Sequence, residues 1–140
     1  MIADLNVVKS WIIHDNLNSR ILREMMEEGM INVRIPEIVK YEMCKILSDL
    51  NLPTEVLRRL VELVMEYLDF FLIKVDGKTF SDAIDIYKSL KNVDFTTAVC
   101  VSLAKSLGDV CVTTDHMLAT YLRKHGFSVL TVDEVIKIFR

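Results

Sequence analysis

The chain has 140 residues, a formal net charge of −3 and 51% apolar residues, values that suit one globular domain. This acidic balance differs from the basic surface of most nucleic-acid binders. Two divalent cations bound by four acids would, however, cancel the excess negative charge. No apolar run approaches the roughly 18 residues of a membrane span, and the N-terminus resembles a strand rather than a signal peptide. We therefore expect a single cytoplasmic domain over residues 1–140 with reduced cysteines.

Short apolar runs alternate with longer amphipathic stretches along the chain. In chain order we predict a strand at 1–5, helices at 7–13 and 19–28, a strand at 31–35, helices at 36–47 and 52–68, a strand at 70–75, helices at 80–90 and 94–107, a strand at 110–113, a helix at 116–124, a strand at 128–130, and a last helix opened by a capping box at 131–134. This alternation predicts an α/β fold with a mostly parallel sheet.

Two carboxylates follow predicted strands. Asp4 closes the first strand, and Asp115 follows the strand at 110–113. Ligands of parallel sheets bind outside the carboxyl ends of the strands, so both positions suit a site. Asp115 is equally well explained as a helix N-cap, and Asp4 is expected only as a cap or a ligand.

Two further carboxylates lie on apolar faces of predicted helices. Glu42 falls within the apolar stripe of the helix at 36–47, where a charge is costly unless it is paired or binds a metal. The alternative is a glutamate at the edge of the stripe that reaches solvent. Asp94 lies on the inward side of the helix at 94–107, and its alternative role is an N-cap for the N–H of Thr97.

Other motifs are weak or missing from the sequence. His14, His116 and His125 lack an i,i+4 partner and a cysteine neighbour, so a zinc site is not indicated. The sequence also lacks G-x-G-x-x-G and a Walker loop, which argues against a nucleotide cofactor.

Four segments in order resemble the PIN domain (named for the PilT N-terminus), a family of small metal-dependent ribonucleases that includes many toxins of the VapBC toxin–antitoxin type. Residues 1–7 resemble its opening strand ending in Asp-x-Asn, and residues 35–42 resemble the segment whose helix carries the second acid. Residues 93–104 resemble the helix that begins with the third acid, and residues 109–115 resemble the strand ending in Thr-x-Asp. Leu5 departs from the pattern, which usually has Thr or Ser there.

This resemblance implies a three-layer α/β/α fold with a five-stranded parallel sheet in the order 3-2-1-4-5. It also implies an Mg²⁺- or Mn²⁺-dependent ribonuclease whose catalytic and metal-binding residues are Asp4, Glu42, Asp94 and Asp115. Carboxylate oxygens suit these hard cations, and cysteine and histidine ligands for softer metals are not apparent. The supporting residues are Asn6 and Thr113, which are expected to position carboxylates and phosphate through hydrogen bonds.

The resemblance further implies an RNA substrate, a homodimer and an antitoxin partner, with no membrane association. The antitoxin segment is expected to lie beside the helices at 19–28 and 52–68. Two alternatives stay open: a non-catalytic PIN-like module that binds RNA or protein, and a PIN nuclease in RNA processing without an antitoxin. Receiver and haloacid-dehalogenase-like domains fit poorly, because Asn6 replaces the second acid that each requires after the first strand.

Overall fold

The strands and helices follow the predicted order. The computed structural model describes residues 1–14 and 16–140. In this part of the chain the strands are β1 (Ile2–Ala3), β2 (Ile35–Pro36), β3 (Leu72–Ile73), β4 (Cys111–Thr113) and β5 (Val129–Thr131). The helices are α1 (Leu5–Ile12), α2 (Leu17–Glu27), α3 (Glu37–Ser48), α4 (Thr54–Asp69), α5 (Gly77–Ser89), α6 (Phe95–Ser106), α7 (His116–Lys124) and α8 (Val132–Phe139).

The strands are parallel and confirm the predicted order 3-2-1-4-5. β1 pairs with β4, β4 pairs with β5, and β2 pairs with β3. A single parallel bridge between Ile2 and Arg34 joins the two groups. The sheet therefore has a three-stranded and a two-stranded part, because β1 and β2 are only two residues long.

The predicted strands are longer than the observed ones where a cap intervenes. β1 ends at Ala3 because the Asp4 side chain already accepts a hydrogen bond from the N–H of Val7 and so begins α1. Pro36, predicted in the first helical turn, instead closes β2 and is the N-cap of α3 with extended backbone angles of −61° and 145°. The capping box of Thr131 and Glu134 is present as predicted.

Helix α6 is the central helix of the three-layer fold. Its residues 96–104 are all buried, which explains why its sequence lacks a clear polar face. Helix α4 is the opposite case, since only Val64 and Leu68 are buried along its sixteen residues. The three cysteines are free, as predicted. Among the described helices, none combines the length and the apolar character that a membrane crossing needs.

Candidate metal centre at the carboxyl edge of the sheet

Asp4 is a buried carboxylate with one unsatisfied oxygen. Its side chain is 1% exposed, and its Oδ1 accepts a hydrogen bond of 3.0 Å from the backbone N–H of Val7. Its Oδ2 is buried and has no hydrogen-bond partner in the described part of the chain. A buried polar atom without a partner is costly, so this oxygen calls for an explanation beyond helix capping.

The pKa of Asp4 also shows that its ionised form is unfavourable where it is buried. Burial raises the pKa of its carboxyl from 3.8 to about 6, because a charge is poorly solvated there. The Thr113 side chain and the Val7 N–H lower the pKa in part, and the nearby negative charge of Asp94 raises it again. The structure therefore brings Asp4, Asp94 and Thr113 into one electrostatic neighbourhood.

Asp94 stands at the start of α6 and is exposed to solvent. Its Oδ1 accepts a hydrogen bond of 2.7 Å from the N–H of Thr97, which confirms the N-cap role that the sequence allowed. This cap occupies one carboxylate oxygen. The negative charge of Asp94 also raises the pKa of Asp4, so Asp94 lies near the buried acid while it caps α6.

Asp115 is the exposed N-cap of α7, and its Oδ1 accepts a hydrogen bond of 3.0 Å from the N–H of Leu118. Its own N–H donates to the Oγ1 of Thr113 at 3.2 Å. Thr113 is fully buried at the end of β4, beside the backbone of Asp4, whose N–H donates to the carbonyl of Val112 at 3.1 Å. Thr113 thus connects the two acids that end neighbouring strands.

Glu42 lies half-buried in the middle of α3. Within the described residues its carboxylate forms no hydrogen bond or ion pair, in contrast to Lys40 on the same helix, which pairs with Asp69 at 2.6 Å. Helix α3 packs against α1, the helix that Asp4 caps. The structure therefore leaves the Glu42 carboxylate available but shows no contact between it and the other three acids.

Asn6 contacts the site through its backbone. Its N–H helps to lower the pKa of Asp4, and the role expected of its side chain stays a prediction. Leu5, where the family pattern usually has a hydroxyl, is half-buried and packs against the core. The first turn of α1 therefore stabilises the Asp4 charge mainly through its backbone.

The acids fit a hard cation to a limited degree. Across residues 1–14 and 16–140, no group of three Asp, Glu, His or Cys side chains is arranged closely enough to hold a metal ion. Two carboxylates are nevertheless enough for Mg²⁺, which usually keeps several waters and binds through one or two of them. Asp4, with its unsatisfied Oδ2, and the nearby Asp94 are the pair of carboxylates that would serve such an ion.

A polar link beside this site was missed by the sequence reasoning. The Asp133 carboxylate accepts a hydrogen bond from the Asn18 side chain at 2.6 Å and lies 3.2 Å from the Nε2 of His116. His116 directly follows Asp115, so this link fixes the start of α7 against α2 and α8. Asn18 and Asp133 are 115 positions apart, and His116 lies on a different helix from Asp133, so the sequence gives no local signal of these contacts.

The fold is similar to solved toxin–antitoxin structures. FitAcB from Neisseria gonorrhoeae matches with a TM-score of 0.68 and 15% identity over 94% of this chain and 96% of that chain. VapBC2 from Rickettsia felis, bound to a DNA fragment from their promoter, matches with a TM-score of 0.69 and 13% identity over 93% and 96%. VapBC-1 from nontypeable Haemophilus influenzae matches with a TM-score of 0.66 and 17% identity over 94% and 97%. At these identities the likeness establishes the fold.

A search of curated proteins gives no significant match. The family model described as PIN domain matches residues 1–139, nearly the whole chain. This match agrees with the parallel strand order and with the acids at the carboxyl edge of the sheet. The chain therefore belongs to the PIN domain family.

Proposed function

We propose that this chain is a divalent-metal-dependent endoribonuclease that hydrolyses RNA phosphodiester bonds. The observation that carries the proposal is the buried Asp4 carboxylate, whose Oδ2 has no hydrogen-bond partner among the described residues. The negative charge of Asp94 further disfavours the ionised form of Asp4. Mg²⁺ or Mn²⁺ at this point relieves both costs, because a cation supplies the missing partner and neutralises the repulsion.

Each residue has a distinct role in the proposed reaction. Asp4 and Asp94 would hold the ion, and Asp115 would hold the same ion or a second one. The bound ion supplies Lewis acidity that lowers the pKa of a water and stabilises the charge that develops on the phosphate. Thr113 fixes the orientation of Asp4 and Asp115 through its buried hydroxyl.

Glu42 orients the attacking water in this proposal. Its half-buried, unpaired carboxylate accepts a hydrogen bond from the water and directs an oxygen lone pair at phosphorus. As the water oxygen bonds to phosphorus, the water loses one proton to solvent. The bond from phosphorus to the 3′-oxygen breaks, and the leaving oxygen takes a proton from solvent. The products are then a 5′-phosphate and a 3′-hydroxyl, as the family resemblance implies.

Cleavage of a mixed RNA pool with Mn²⁺ tests this function. We expect the wild type to cut and Asp4→Asn to lose at least about 100-fold in rate, since the amide keeps the hydrogen bond from Val7 but loses the charge. Asp76→Asn is the control, because Asp76 is an exposed N-cap of α5 outside the site. Equal cutting by wild type and Asp4→Asn removes the catalytic claim.

The toxin role is the finer part of the proposal. The similar solved structures include toxin–antitoxin complexes, one of them from Klebsiella pneumoniae. Helix α4 and its C-cap expose Val56, Leu63 and Phe70 at intervals of seven residues, which offers an apolar face to an antitoxin segment or to a second copy. Tyr67 of α4 donates a hydrogen bond of 2.8 Å to Glu27, so α2 and α4 form one joined surface.

We place the protein in the cytoplasm. Two experiments test its partners, one on the purified chain and one in growing cells. Light scattering reports whether the purified chain is a dimer, and Leu63→Lys is expected to weaken the contact that uses this face. Expression is expected to arrest growth unless a short neighbouring reading frame is co-expressed. Growth that is unaffected by the active nuclease favours a role in RNA processing without an antitoxin.

A non-catalytic PIN-like module is the second candidate. It is favoured by one observation: within the described part of the chain, no three potential ligands are gathered into a metal-binding group. Such a module is expected to bind RNA or protein without any cleavage in Mn²⁺ and without thermal stabilisation by either ion. The RNA-cleavage experiment therefore separates the two candidates.

A further inference from the structure

One face of α7 forms a shallow surface depression beside the candidate metal centre. The depression has a volume of about 420 Å³ and is lined by His116, Met117, Thr120, Tyr121 and Lys124. We call this set, together with Lys91, the α7 strip. His116, Thr120 and Lys124 recur every four residues, so they follow one side of the helix over about 12 Å.

The strip adjoins the candidate metal centre through two different segments. His116 is the residue after Asp115, so the strip begins at the carboxyl edge of the sheet. The hydroxyl of Tyr121 accepts a hydrogen bond of 3.2 Å from the backbone N–H of Lys91, which precedes Asp94 by three residues. A ligand that lies along the strip is therefore next to the segments that carry two of the candidate acids.

The charges of the strip suit a polyanion. Lys91 and Lys124 are exposed, and neither has an ion-pair partner within residues 1–14 and 16–140. Arg123 does not contribute in the same way, because Glu134 neutralises it at 2.8 Å. His116 lies 3.2 Å from Asp133, so we assign the phosphate contacts of the strip to Lys91 and Lys124.

The strip also offers surfaces on which bases can stack. Met117 is 85% exposed at the end nearest the metal centre, although it is a large apolar side chain. The ring centroids of Tyr121 and His125 lie 4.7 Å apart with their planes inclined at 57°, so a second aromatic side chain adjoins Tyr121. Positive charge interleaved with aromatic side chains is typical of surfaces that bind single-stranded nucleic acid.

We propose that the α7 strip binds the single-stranded RNA that flanks the bond to be cut. Lys91 and Lys124 contact phosphates, while Met117 and Tyr121 contact bases. This inference rests on the proposed ribonuclease function for its choice of ligand. It explains how a chain of net charge −3 can hold RNA beside a group of acids, because Lys124 lines the depression and the backbone of Lys91 contacts Tyr121 at its side.

Binding in EDTA tests the strip without cleavage. The probe is a short labelled single-stranded RNA of mixed sequence, measured at several salt concentrations. We expect Lys124→Ala and Lys91→Ala each to weaken binding about 3- to 10-fold and to reduce the slope of log K against log salt by about 0.7. Lys105→Ala is the matched control: Lys105 is an exposed lysine in the last turn of α6, at the other end of that helix from Asp94.

The outcomes separate this inference from the nuclease function. Wild type that binds RNA through both lysines but never cuts it supports the strip and contradicts the nuclease. Wild type that cuts RNA while both lysine variants bind as tightly as Lys105→Ala overturns the strip and leaves the nuclease standing. Equal binding of poly-glutamate and RNA also overturns the inference, since the bases are then not recognised. Absence of RNA binding by wild type in EDTA overturns it as well, because the strip then binds no RNA.

Discussion

The hydroxyl oxygen of Thr113 accepts a hydrogen bond from the backbone N–H of Asp115 at 3.2 Å, which ties the end of β4 to the start of α7. The same side chain lowers the pKa that burial raises at Asp4. One fully buried threonine therefore acts on two acids that belong to different strand ends. Its hydroxyl is a positioning group rather than a ligand in the proposed centre.

Replacing Thr113 by valine tests this positioning role, because valine keeps the shape and removes the hydroxyl. We expect the free energy of unfolding to fall by about 1–2 kcal/mol, since the buried partners lose a hydrogen bond. We expect RNA cleavage in Mn²⁺ to fall about 10- to 100-fold, as for other residues that orient metal ligands. Thr113→Ser keeps the hydroxyl and is expected to retain most of the activity; equal loss in both variants points to packing instead.

Asp4→Asn is expected to stabilise the protein when no metal is added. The raised pKa of Asp4, from 3.8 to about 6, corresponds to a penalty of at most about 3 kcal/mol for the buried charge at neutral pH. The amide removes this penalty and still accepts the hydrogen bond from Val7. Urea denaturation in EDTA measures the difference. A less stable variant contradicts the view that Asp4 is kept charged at a cost to the fold.

The pKa of Glu134 is shifted in the opposite direction to that of Asp4, so its charge stabilises the fold at neutral pH. A hydrogen bond from Arg123, followed by one from the Thr131 N–H, lowers the pKa of Glu134 from 4.5 to about 2. Because the folded pKa is depressed, this stabilisation is present above pH 4.5 and is lost as the pH falls towards 2. The side chain is 37% exposed, so solvent screening limits the effect to about 1 kcal/mol or less.

Urea denaturation of Glu134→Gln across this range checks the sign. The variant is expected to be less stable than wild type at neutral pH, and the difference is expected to shrink between pH 4.5 and 2. A difference that stays constant over the same range means that the charge of Glu134 does not stabilise α8.

The order of the elements was predictable because local patterns encode it. Alternating apolar runs and amphipathic stretches predict every described strand and helix in order. The four residues 131–134 are enough to predict the capping box of Thr131 and Glu134. The predicted length of the first strand is wrong for a local reason too: Asp4 caps α1, which begins at Leu5 rather than at residue 7. Helix α3 begins at Glu37, one residue after the predicted start, because Pro36 closes β2 and is the N-cap. Apolar content alone does not show where a cap ends a strand.

The candidate site was predictable only in part. The family resemblance predicts that Asp4 and Asp94 share one site, and the negative charge of Asp94 does raise the pKa of Asp4. Their role as metal ligands stays a prediction. The sequence did not indicate that Asp133 lies against His116, or that the Tyr121 hydroxyl meets the backbone of Lys91. These contacts depend on how helices approach each other in three dimensions, which no spacing within one helix encodes.

Asp94→Asn and Asp76→Asn form a matched pair that tests the metal centre directly. Both aspartates are N-caps, with hydrogen bonds of 2.7 Å from Thr97 and 2.8 Å from Thr79, and asparagine caps helices about as well. We expect millimolar Mg²⁺ or Mn²⁺ to raise the melting temperature of wild type and of Asp76→Asn, because a ligand that binds only the folded state stabilises it. Asp94→Asn is expected to be more stable than wild type without metal, since it removes repulsion with Asp4, and to show a much smaller shift with metal. The assignment of Asp94 as a ligand is contradicted if neither ion changes the melting temperature of wild type. It is also contradicted if the ions raise the melting temperatures of the two variants equally.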